Sequence, residues 1–107
     1  MDYTELIEIA RRACRITWND SETDDRIKTI VENAVPHLHH KFGMPGEPST
    51  GIFEKPGTER MLFENYCLYC WNNVPDEFEK NYLRDILTVR HKYEVEAVKN
   101  AEESSDI

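Results

Sequence analysis

The sequence predicts an all-α domain: a small bundle of about four helices, with a long glycine- and proline-rich loop between helices 2 and 3 and a mobile C-terminal segment. Three observations carry that expectation. Apolar residues recur at spacings of three and four along most of the chain, which is the period of a helix with one buried side. Short polar residues that suit helix caps stand ahead of the periodic runs. Glycine and proline gather in one stretch instead of punctuating a series of hairpins. The 107 residues suffice for one domain with a modest core.

The first helix is expected over about residues 3 to 16, because Leu6, Ile9, Ala10, Ala13 and Ile16 form an apolar stripe. Asp2 and Glu5 make a plausible capping pair at its start. The segment TWNDSETDD then interrupts the period with side chains that compete for backbone hydrogen bonds. A second helix should begin near Ser21, with Glu22, Asp24 and Asp25 at the positive end of its dipole. Its stripe is Ile27, Ile30, Val31, Ala34, Val35, Leu38 and Phe42. Pro36 lies late in that stripe, lacks a backbone donor and crowds the preceding turn, so a kink or a new short helix is expected there.

Gly43 ends the second helix, and residues 43–57 hold three of the five prolines and all four glycines. A loop of this length in a small domain is more often functional than accidental, which makes it a candidate contact surface. Thr58 is placed to cap a third helix whose run from Met61 to Trp71 leaves almost no polar face, so protein should surround it. Asn72, Asn73 and Pro75 end it and open a fourth. In the fourth, Phe78, Tyr82, Ile86, Val89 and Tyr93 share a face, with Leu83, Leu87 and Arg90 alongside.

The helical domain is therefore placed at 1–93 and an acidic C-terminal arm at 94–107. The arm carries five acids and one lysine, and Tyr93, Val95 and Ala97 alternate with acids in a way that fits either a short strand or continued helix.

Charge narrows the function. With 13 Lys plus Arg against 21 Asp plus Glu, the formal net charge is −8, and the average surface should repel phosphate backbones. A helix-turn-helix DNA reader would need a basic recognition face. No apolar stretch reaches the ~20 residues of a membrane span, and the N-terminus lacks the order of a signal peptide. Three cysteines, Cys14, Cys67 and Cys70, suit a reducing compartment better than a disulfide framework.

The stretch ENYCLYCWNN poses the sharpest chemical question. Cys67-x-x-Cys70 with His37, His39 and His40 could supply four zinc ligands, but structural sites normally take their second pair from a loop or knuckle. No strand precedes the motif as in a thioredoxin-like redox pair. The thiols are read as small apolar fillers in a buried helix, and the histidines as the solvated side of the second helix. No carboxylate pair stands beside a nucleophile or a phosphate cradle, so the chain is not expected to be an enzyme and no cofactor is assigned. Trp18, set among polar residues, is a candidate partner contact, and Trp71 is expected to close the core.

The order of features is informative. YTELIEIARRACRI, an acidic turn, DDRIKTIVENAVPHLHHKFG, a glycine and proline loop, and ERMLFENYCLYCWNNVPDEFEKNYLRDILTVRHKYEV together resemble the head-tail connector, or adaptor, proteins of long-tailed bacteriophages and prophages. The likeness spans roughly residues 3 to 98. Asp24, Asp25, Ile27, Ile30, Ala34, Leu38 and Gly43 match one helix of that pattern. Tyr66, Tyr69, Trp71, Phe78, Tyr82 and Leu87 match a later one. These are mostly packing positions.

The resemblance implies a structural virion protein in the neck, made in the host cytoplasm, that forms a homo-oligomeric ring beneath the portal. Its implied partners are the portal protein, a neck or tail completion protein, and genomic double-stranded DNA that passes without specific binding. It implies no catalytic, cofactor or metal residue. Trp18, Met44, Ile52, Phe53, Val95 and Val98 are the expected assembly contacts, drawn from the polar turn, the loop and the arm. An acidic wall suits a duct for a polyanion, since each phosphate pair formed along it would slow passage. The competing class is a small helical regulatory or metal-binding module that recognises another protein, left open by the thiol pair and the histidine cluster.

Overall fold

The computed structural model describes the backbone of residues 1–105 and the side chains of residues 1–102. These residues form an all-helical bundle with no strand: α1 (Thr4–Ala13), α2 (Ser21–Lys41), α3 (Gly51–Glu54), α4 (Thr58–Trp71) and α5 (Pro75–Ser105). α4 lies at the centre and touches each of the other four helices. That is the position its nearly all-apolar sequence requires.

Three helices end on the same device. A residue with positive φ follows α1 (Arg15, 57°), α2 (Gly43, 66°) and α4 (Asn73, 62°). Beyond each, the next amide reaches back five residues: Ile16 to the Arg11 carbonyl, Met44 to His39 and Val74 to Tyr69. This left-handed closure satisfies carbonyls that the helix end leaves free.

The starts differ more from expectation. The Asp2 carboxylate accepts the Thr4 amide at 2.9 Å, one residue outside the first helical turn. Asp20 caps α2 by accepting the Thr23 amide at 2.7 Å. Thr58 is not the cap of α4. That position falls to Gly57, whose φ of 152° a residue with Cβ rarely adopts.

α2 runs through Pro36 as one element, without the expected break. Pro36 is on the exposed side, as is Glu32, whose carbonyl it cannot satisfy. Burial of Val31, Ala34, Val35 and Leu38 on the other side holds the helix together. The irregularity falls instead in α5, where Tyr82 leaves helical angles (φ −116°, ψ 17°). An aromatic cluster surrounds the bend: Tyr82 stacks on Phe78 at 5.1 Å and meets Tyr69 edge-on at 5.9 Å. Its hydroxyl donates to Asn65 Oδ1 at 3.1 Å.

The loop at 43–57 is not structureless. It contains α3, which packs on α1 and α4 and inserts Phe53 fully into the core. Phe53 lies 5.6 Å from Phe63 and 6.4 Å from Phe42, ring centre to ring centre. Residues 94–105 continue α5 as helix, which decides between the two sequence alternatives. The last two residues of the expected arm lie outside the described residues.

One charged side chain is nearly enclosed. Glu59, at the start of α4, accepts from Lys92 Nζ at 2.6 Å and from the Tyr93 hydroxyl at 2.8 Å, tying α4 to α5. Burial pushes its carboxyl pKa up, but these two donors outweigh that and hold it below the ordinary 4.5. A depressed folded pKa gives stability that is present above the unfolded value and lost as pH falls through the folded one. Glu59→Gln should therefore cost about 1–3 kcal/mol at neutral pH. Thermal midpoints of the two proteins, followed from about pH 6 to pH 3, should converge at the acid end. A constant gap across that range would show that the carboxylate charge contributes nothing.

Candidate assembly surface

α5 carries apolar residues on two sides. Phe78, Ile86 and Val89 are buried against the bundle, with Tyr82 and Tyr93 packed at the edge. Leu83 and Leu87, each 54% exposed, point away from it, as do Val95 (38%) and Val98 (57%). At ~100° per residue, Leu83, Leu87, His91, Val95 and Val98 form a band centred about 150° from Ile86, Val89 and Tyr93. Shallow grooves run along it, one lined by Leu83, Arg84, Leu87, Thr88 and His91, the next by His91, Glu94, Val95, Val98 and Lys99. His91 joins the two into one stripe.

A helix with two opposed apolar sides has one of them covered within this chain. The second is a continuous exposed apolar strip, the kind of surface that marks a protein contact when large and rimmed by polar groups. Every residue from Glu94 to Glu102 is exposed, so the strip extends beyond the part of α5 that packs on the bundle.

The expected contact residues separate into groups. Val95 and Val98 belong to the strip. Phe53 does not face out: it is a core residue, because α3 turns the loop inward. Met44 and Ile52 are half-buried and lean on the core from the same loop. Trp18 is 48% exposed, but it is held in place. Its indole N–H donates to Thr23 Oγ1 at 3.1 Å, and Arg11 bonds its carbonyl, Asn19 Oδ1 (2.9 Å) and Asp24 (2.7 Å). The acidic turn is thus fastened to α1 by a single guanidinium, and Trp18 stands on it as a fixed projection.

Leu83 and Leu87 are absent from the expected contacts because sequence spacing sets them beside Tyr82 and Ile86. Their angular distance from Ile86 and Val89 was the available signal, and the bend at Tyr82 separates Leu83 and Leu87 from the Phe78 turn.

The thiols and histidines do not converge on one site. All three cysteines are free, with Cys67 fully buried. Burial raises the thiol pKa of Cys67 well above its ordinary value and that of Cys14 to about 11, so neither is a ready nucleophile. His37 stacks on Tyr66 at 4.9 Å and its pKa is lowered, first by burial and then by Lys41. His39 Nε2 lies 3.3 Å from the Pro45 carbonyl, and His40 faces solvent. Among the described residues no group of three or more His, Cys, Asp or Glu side chains is placed to hold a metal ion. None of the helices described is long and apolar enough to cross a membrane.

Fold and surface define an all-helical protein with an unpaired apolar face on its longest helix. Comparison with protein-family models, curated proteins and solved structures finds no match.

Proposed function

We propose that the chain is a structural assembly subunit, and that its role is that of a head-tail connector in the neck of a long-tailed bacteriophage or prophage. In this reading copies form a ring beneath the portal, extend the channel through which genomic DNA leaves, and offer a platform to a neck or tail completion protein. The chain performs no catalysis and needs no cofactor for that task.

The observation that carries the assembly reading is the outward apolar strip of α5, which continues past the bundle on a protein of net charge −8. A charged exterior keeps subunits apart, and one apolar strip supplies a place where they or a partner can meet. The connector role itself rests on the sequence resemblance, and the net acidity fits a wall along which DNA slides without adhering.

Electron microscopy of the protein mixed with the portal protein of the same genome tests it. Rings capping the portal are the expected result. Subunits that ignore the portal at every ratio would remove the connector role while leaving the apolar strip in need of another partner.

A further inference from the structure

We draw no further inference here: the strongest candidate, the exposed apolar strip of α5 formed by Leu83, Leu87, Val95 and Val98, carries none because nothing in the structure shows what covers it.

Discussion

Phe53→Ala should destabilise the domain by about 3–4 kcal/mol and lower its thermal midpoint by about 15 °C. Phe53 is fully buried and is the one side chain by which α3 enters the core, in ring contact with Phe42 at the end of α2 and Phe63 in α4. Its removal takes away the transfer energy of a benzyl group and leaves a void that α3, only four residues long, cannot close by itself. For a domain whose total stability is of the order of 5–15 kcal/mol, this is a large fraction. Thermal unfolding followed at 222 nm measures it. The neighbouring Ile52→Ser should cost far less, because Ile52 is only half-buried. Equal and small effects at both positions would mean that α3 does not seat as described and that the 43–57 stretch behaves as the open loop its composition suggests.

Ending the chain after Glu94 should leave the fold nearly intact and abolish assembly. Every residue from Val95 to Glu102 is exposed, whereas Lys92 and Tyr93, which bond Glu59, are retained. The thermal midpoint should move by no more than about 5 °C, part of it from a new carboxylate at the negative end of α5. Helical signal should fall only by the residues removed. If the chain is the connector proposed above, capping of the portal should be lost, since Val95 and Val98 leave with the segment and the strip keeps only Leu83 and Leu87. If the shortened chain unfolds, the C-terminal half of α5 belongs to the core. If it still caps the portal as well as the full chain, the strip is not the docking surface, and attention moves to Trp18 and the loop.

The two experiments separate residues that the sequence grouped together. Phe53 and Val98 were both expected as contacts because one lies in a long loop and the other in an acidic arm. Composition marks such stretches as irregular, but it carries no information on which residue inside them is turned inward. Phe53 goes in because α1 and α4 leave a space that a ring fills. Val98 stays out, 57% exposed, because none of the described residues buries it near the end of a 31-residue helix.

The helical class, the central place of α4 and the bundle-facing side of each long helix are legible in the residue pattern alone. Those depend on the 3.6-residue period and on short-range capping, which act between residues a few positions apart. The stops at Gly43 and Asn73 belong to the same class, being local demands for positive φ. The burial of Phe53, the uninterrupted passage of α2 through Pro36, the bend at Tyr82 and the second apolar face of α5 were decided only by tertiary structure. Each is settled by whether another segment, distant in sequence, occupies the space alongside. The energy of filling or leaving that space exceeds any local preference a residue carries.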